Sequence, residues 1–329
     1  MQKIILSRTD NLGDVVLTLP MAGAIKAQLP DSQVFFIGKS YTKAIIEGSN
    51  FVDKFLDREE ILQHPQLLKE LQANAIIHVF PDKEIASLAK RVNIPIRIGT
   101  SHRLFHWFSC NKMVNLGRKN SDLHEAQLNL KLLQPLQLKT DYALSEIGKL
   151  YGMSKITPLP SEFQQLVSKE KFNLILHPKS KGSAREWNLE NYQALIQLLP
   201  KEKFQFFITG TQAEGEKIKN LLPSIFNFEN VYDLTGKLSL SQLVSFINEV
   251  GALVACSTGP LHIAAALGKK AIGIFPPMRP IHPQRWQPLG IQAQTLCLNK
   301  SCNDCKKSMD CPCIQSITPK QVANLFFSL

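Results

Sequence analysis

Residues 252–275 read Ala-Leu-Val-Ala-Cys-Ser-Thr-Gly-Pro-Leu-His-Ile-Ala-Ala-Ala-Leu-Gly-Lys-Lys-Ala-Ile-Gly-Ile-Phe. An apolar run, Ala252 to Ala255, stops at the small and hydroxylated Ser257, Thr258 and Gly259. Pro260 then opens an Ala-rich helix, and a second apolar run starts at Ala271. Proline suits the first helical turn, where its missing N–H costs nothing, and glycine lets a bound group approach the backbone. The unpaired amides of that turn, with the helix dipole, form an anion site. The stretch predicts strand, turn, helix and strand, with the turn from Ser257 to His262 cradling a diphosphate. A βαβ unit that binds nothing has the same pattern, so other segments must decide.

Outward from this stretch the same alternation runs twice along the chain. In the first half, strands are expected near 3–7, 33–37, 75–79 and 94–98, with helices at about 14–29, 59–72, 84–92 and Leu123 to Leu133. The less patterned residues from Gln134 to Lys171, with Pro135, Pro158 and Pro160, read as the connection between domains. In the second half, strands are expected at Phe172–Leu176, Phe204–Thr209, Val231–Leu234, Leu253–Ala255 and Ala271–Phe275, separated by helices. This predicts an α/β protein with two parallel sheets covered on both faces, ligands lying at the carboxyl ends of the strands. The expected divisions are residues 1–155, 156–315 and a closing helix at 316–329 that folds back on the first domain.

A chain of 329 residues, 44% hydrophobic and 20% charged, has the length and composition of two globular domains. No apolar stretch nears the roughly 20 residues of a membrane span. Lys3 to Ser7 looks like a first strand and not a cleaved signal, so a cytoplasmic protein is expected. The net charge of +11 is unevenly placed. No acid falls between Glu84 and Asp122, where Lys90, Arg91, Arg97, Arg103, Lys112, Arg118 and Lys119 lie. None falls between Glu249 and Asp304, where Lys269, Lys270, Arg279, Arg285 and Lys300 lie. Such patches favour polyanionic partners, although a solvated basic surface has the same composition.

Three further segments carry chemistry. The first strand leads into Arg8-Thr9-Asp10-Asn11-Leu12-Gly13-Asp14, where Gly13 permits a tight turn. The helix dipole keeps Asp14 ionised there, as a reactive carboxylate or as a helix cap. Residues 176–187 read Leu-His-Pro-Lys-Ser-Lys-Gly-Ser-Ala-Arg-Glu-Trp, a basic loop that places Lys179, Ser180, Lys181 and Arg185 in reach of an anion at the strand end. Residues 206–214 form another strand and turn, in which Gly210 precedes Glu214. Glu214 either accepts hydrogen bonds from a ribose diol or complements the dipole of its own helix.

Taken together, these pieces resemble glycosyltransferase family 9, the heptosyltransferases of the lipopolysaccharide inner core. The resemblance runs from Ile4 to about Leu325. It rests on Gly13-Asp14-Val15, His177-Pro178 with Arg185-Glu186-Trp187, Gly210 with Glu214, Asp233-Leu234-Thr235-Gly236, Ser257 to His262, and Arg285-Trp286 before Pro288-Leu289-Gly290. It implies a GT-B fold of two facing Rossmann-like domains, the first binding acceptor and the second binding nucleotide-sugar. Asp14 matches the catalytic aspartate. Arg185 stands where the family usually has a diphosphate-binding Lys. Glu214 matches the nucleoside-binding acid, and Thr258, Gly259, Leu261 and His262 match the phosphate loop. Ser257 departs from an Asp that in the family touches the transferred heptose, so a donor other than ADP-heptose stays open.

The expected reaction is inverting: Asp14 takes the acceptor proton, and cations and helix amides stabilise the leaving diphosphate as the domains close. The chain has no Asp-x-Asp pair, which favours a metal-independent reaction with no cofactor. Arg8, Asn11, Arg97, Arg103, Arg118 and Lys119 are expected to meet an anionic lipopolysaccharide precursor. Phe105, Trp107 and Phe108 read as a contact with the inner-membrane surface on its cytoplasmic face, or as ordinary packing. His124 and Glu125 either assist the acceptor or lie on the outer face of their helix. Five of seven cysteines lie near the C-terminus. Free thiols are expected, with Cys302, Cys305, Cys311 and Cys313 as the ligand set of any structural metal. Competing readings are a GT-B sugar-nucleotide epimerase, a family member that binds donor without activity, and a nucleic-acid binder. No recognised module supports the last.

Overall fold

The computed structural model describes residues 1–118, 121–302, 305 and 310–327. The chain divides into two units, Met1–Lys155 and Ile156–Leu329. In the first, β1 (Lys3–Ser7), β2 (Gln33–Gly38), β3 (Lys54–Asp57), β4 (Ala75–His78), β5 (Ile96–Thr100) and β6 (Lys112–Val114) form a six-stranded sheet ordered β3-β2-β1-β4-β5-β6. In the second, β7 (Phe172–His177), β8 (Phe204–Ile208), β9 (Val231–Asp233), β10 (Ala252–Cys256), β11 (Lys270–Ile274) and β12 (Gln294–Leu296) are ordered β12-β11-β10-β7-β8-β9. Every pairing is parallel. Numbered within its own unit, each sheet has the Rossmann order 3-2-1-4-5-6. The chain reverses its direction of travel across the sheet between β1 and β4, and again between β7 and β10.

The inner strands are buried on both faces, as Ala252 to Cys256 show, which explains their near-continuous apolar sequences. Three short strands, β3, β6 and β12, were not anticipated. They lie at sheet edges or near them, and their three or four residues are too few to show a period. Two expected helices are split at prolines. The segment 14–29 forms Leu12–Val16 and Leu19–Gln28, because Pro20 has no N–H to continue the ladder. The Thr18 hydroxyl donates to the Asp14 carbonyl at 2.8 Å across that break. Pro65 likewise separates Arg58–Gln63 from Pro65–Glu70.

The connection expected over 134–171 is partly built into the first unit. Tyr151 is buried, its carbonyl accepts from Ser49 Oγ at 2.7 Å, and the Gly152 carbonyl accepts from Asn50 N at 2.8 Å. The closing helix, Pro319–Phe327, packs on strands of its own unit. Phe326 meets the rings of Phe172 and Phe204 edge-on, each at 5.9 Å. Lys270 is buried with its ammonium 5.2 Å from the Phe326 ring and bonded to the Leu325 carbonyl, so this basic residue anchors a helix and offers no surface charge. Among the described residues no helix is long and apolar enough to cross a membrane.

Candidate functional site

The reversal point of the second sheet carries the loop read first. His177 ends β7 in register with Ala255 of β10, so the residues after Cys256 emerge beside it. Thr258 is the N-cap of the helix Gly259–Ala266, yet its side chain makes no capping bond. Its hydroxyl is buried and has no hydrogen-bond partner among the described residues. A buried hydroxyl left unpaired costs about 1–3 kcal/mol. Pro260, Leu261 and His262 are buried beneath it.

The loop after β7 is held from within. Glu186 accepts from Lys179 Nζ at 3.0 Å, and from Ser180 N and Oγ at 2.9 Å each. Lys181, in the left-handed region at φ +50°, and Gly182, at +81°, form an exposed tip. Arg185 does not stand open to solvent. Its Nε and Nη2 donate to the Cys305 carbonyl at 3.2 and 3.0 Å.

Glu214 is buried in a capping box on its own helix, accepting from Thr211 N at 2.7 Å and Thr211 Oγ1 at 2.9 Å. Burial pushes its carboxyl up, but the Thr211 bonds and the neighbouring His177 and Lys181 charges hold it below the ordinary range. Both roles read from the sequence are compatible with this: Oε2 caps the helix, and Oε1 has no contact in the bonds just given. Gly210 abuts this carboxylate, since a Cβ there would lie 3.3 Å from Oε2. His177, buried, is lowered to about 4 by desolvation against the pull of Glu214 and Glu186, and its Nδ1 pairs with Thr209 Oγ1 at 2.9 Å.

The reversal point of the first sheet is an ionic cluster. Arg8, just past β1, is buried; Nε bonds Asp10 at 2.7 Å, Nη2 bonds Asp14, and Nη1 lies 3.3 Å from Glu125 Oε1. Arg118 bonds Glu125 as well, and reaches Asn129 Oδ1 at 3.0 Å. The amide of Asn129 returns a bond to the Leu17 carbonyl at 3.0 Å. Asp14 occupies the third position of its short helix with its side chain 14% exposed, while Asn11 is the N-cap and lies 3.5 Å from it. Asp14 is thus not the cap. Thr9 donates to Asp82 at 3.0 Å, tying the loop after β1 to the loop after β4. Burial, opposed by the Arg8 charge and reinforced by Asp14, raises Asp10 above the ordinary carboxylate range.

Sequence reasoning missed Asp10, Asp82 and Asn129 as parts of this cluster. Of the two readings of His124 and Glu125, burial excludes the outer helix face: His124 caps the helix Glu125–Lys131, and Glu125 lies inward under two guanidiniums. Arg97, expected at the acceptor, instead pins backbone, donating from Nε to the Ser109 carbonyl at 2.8 Å and from Nη1 to the Ile94 carbonyl at 2.5 Å. Arg103 is exposed beside exposed Leu104, Trp107 and Phe108, while Phe105 is half-buried. Lys119 lies outside the described residues.

Two Rossmann-ordered parallel sheets, each with polar groups at its reversal point, define a glycosyltransferase fold of the GT-B class. The chain belongs to glycosyltransferase family 9 (heptosyltransferase), whose description it matches over residues 61–313. It is 24% identical to the lipopolysaccharide core heptosyltransferase OpsX of Haemophilus influenzae, over 83% of this chain and 79% of that protein. The glycosyl transferase family 9 structure from Veillonella parvula shares its fold with a TM-score of 0.79 at 19% identity, covering 99% and 96% of the two chains. The E. coli ADP-heptose LPS heptosyltransferase II gives a TM-score of 0.75 at 17% identity, covering 100% and 98%.

Proposed function

We propose that this protein transfers a heptose, with inversion, from ADP-heptose to the inner core of lipopolysaccharide. The observation that carries the donor half is the buried, unpartnered Thr258 hydroxyl at the mouth of the Gly259–Ala266 helix. A diphosphate oxygen would satisfy that hydroxyl and the first-turn amides together. The adjacent Lys181, and a rearranged Lys179 or Arg185, would neutralise the charge that the leaving nucleotide gains. Ser257 offers the sugar a hydroxyl, and Glu214 Oε1 faces a ribose without giving up its cap.

Asp14 would remove the proton of the attacking acceptor hydroxyl. Its partner Arg8 fixes the carboxylate's orientation. Sharing that guanidinium with Asp10 and Glu125 loosens the hold. As Asp14 takes the proton, Arg8 keeps two carboxylate partners, so no buried cation is stranded. No step of this scheme draws on a metal. Exposed Leu104, Trp107 and Phe108 beside Arg103 suit an acceptor whose lipid stays in an anionic membrane surface.

Thermal shifts against ADP-heptose and the UDP and GDP sugars, followed by transfer to core-truncated lipopolysaccharide, test the reading. Asp14→Ala should abolish transfer and leave donor affinity intact; loss of both together would give the carboxylate a structural role. Turnover of donor without acceptor would favour an epimerase. Assignment of the anomeric configuration of donor and product by NMR, opposite in an inverting transfer, checks the inversion.

A further inference from the structure

Away from both reversal points, the second unit gathers four thiols that the transfer reaction does not use. Cys302 and Cys305 are spaced C-x2-C, and Cys311 and Cys313 C-x-C. The Sγ atoms of Cys302, Cys305 and Cys313 all lie within 4.8 Å of one another. Cys305 Sγ is 3.3 Å from that of Cys302 and 2.9 Å from that of Cys311. Cys305, Cys311 and Cys313 are buried, and none of the cysteines is in a disulfide. Zn–S bonds of about 2.3 Å set tetrahedron edges of roughly 3.8 Å, within the 4.8 Å that spans the Cys302, Cys305 and Cys313 sulfurs and longer than the two direct separations. Cysteine as a small apolar filler has no reason to converge sulfur on sulfur.

We propose that Cys302, Cys305, Cys311 and Cys313 bind one zinc ion as a closed tetrathiolate site. The four thiols lose their protons on binding, leaving a complex of net charge −2. Lys300, hydrogen-bonded to Cys313, offsets part of that charge. With four protein ligands the ion has no open position, so its role is structural. What it fixes is visible in the surrounding bonds. The Cys305 carbonyl receives Arg185, the Gln315 side chain bonds the Glu186 carbonyl and the Asn188 amide at 2.9 Å each, and the Ile317 carbonyl receives Trp187 Nε1 at 2.8 Å. A zinc-pinned segment therefore backs residues 185–188. Resting on the donor reading above, it would set where the Lys179–Arg185 loop meets the nucleotide.

Metal analysis of the full chain, purified under reducing conditions from zinc-supplemented medium, should find roughly one zinc per chain. Cobalt exchanged into the site should show thiolate-to-cobalt charge transfer with tetrahedral d–d bands. Cys305→Ser and Cys313→Ser should lose both signals, while Cys297→Ser keeps them. Should the serine variants fail to fold, mercurial titration of the wild-type chain should release zinc in step with modification of four thiols. Absence of zinc, stoichiometric iron in its place, a Cys305–Cys311 disulfide, or zinc retained after the thiols are blocked would each overturn the proposal. Zinc present in a protein that binds no ADP-heptose would overturn only the donor reading.

Discussion

The two sheets share one strand order, but their reversal points are built on opposite electrostatic plans. After β1 and β4, two guanidiniums face three carboxylates that saturate one another inside the protein. After β7 and β10, the buried Thr258 hydroxyl has no partner among the described residues, and the Lys181 tip stands exposed. The fold dictates where a site forms, and the residues placed there decide what it handles. A cluster with one more carboxylate than guanidinium suits taking up a proton. An uncompensated cradle suits receiving a charge that the substrate brings.

The largest test of this contrast is Asp14→Ala, which should lower transfer by about 10² to 10⁴-fold in single-turnover assays, the usual range for a general base. A smaller drop would make the first cluster architectural. Glu125→Ala should destabilise the first unit by about 1–3 kcal/mol in urea melts, because Arg118 loses its carboxylate while Arg8 keeps Asp10 and Asp14. An unchanged midpoint would mean that Arg118 does not depend on Glu125. Thr258→Val keeps shape but removes the hydroxyl. It should weaken ADP binding by roughly 1–3 kcal/mol by calorimetry and leave the free protein no less stable. A destabilised free protein would show that the hydroxyl already has a partner.

The smallest effect concerns acid. His78 ends β4 and His177 ends β7, both buried, and desolvation lowers them to about 3 and about 4. Below pH 6.5 the unfolded chain takes up protons that these imidazoles refuse, so stability falls from there toward pH 4. His78 has neither ring nitrogen bonded, whereas His177 keeps Thr209. His78→Leu should therefore flatten the acid arm of Tm against pH by roughly a third, since burial also lowers His106. An arm of unchanged slope would assign the loss to carboxylates.

Sequence alone showed the inner strands, the anion-ready turn at 257–262 and the alternation that leads to parallel sheets. All are local signals, since burial on both faces and the chemistry of proline and glycine act over a few residues. It did not show the ionic cluster. Glu125 reads either as an acceptor contact or as an outer helix position because the cations that neutralise it, Arg8 and Arg118, meet it only through the fold. Arg97 and Lys270 misled for the converse reason: composition counts a charge without saying that a backbone carbonyl holds it. The edge strands lacked the length to declare a period.

The helix Pro319–Phe327 has a consequence for how the molecule is made. Met1–Lys155 is a contiguous stretch whose sheet is complete before the second unit emerges from the ribosome. The second unit cannot close its apolar interior until Val322, Ala323 and Phe326 have been synthesised. During that interval Phe172 and Phe204 lack their cover, which makes late translation the period when this chain is most exposed to aggregation.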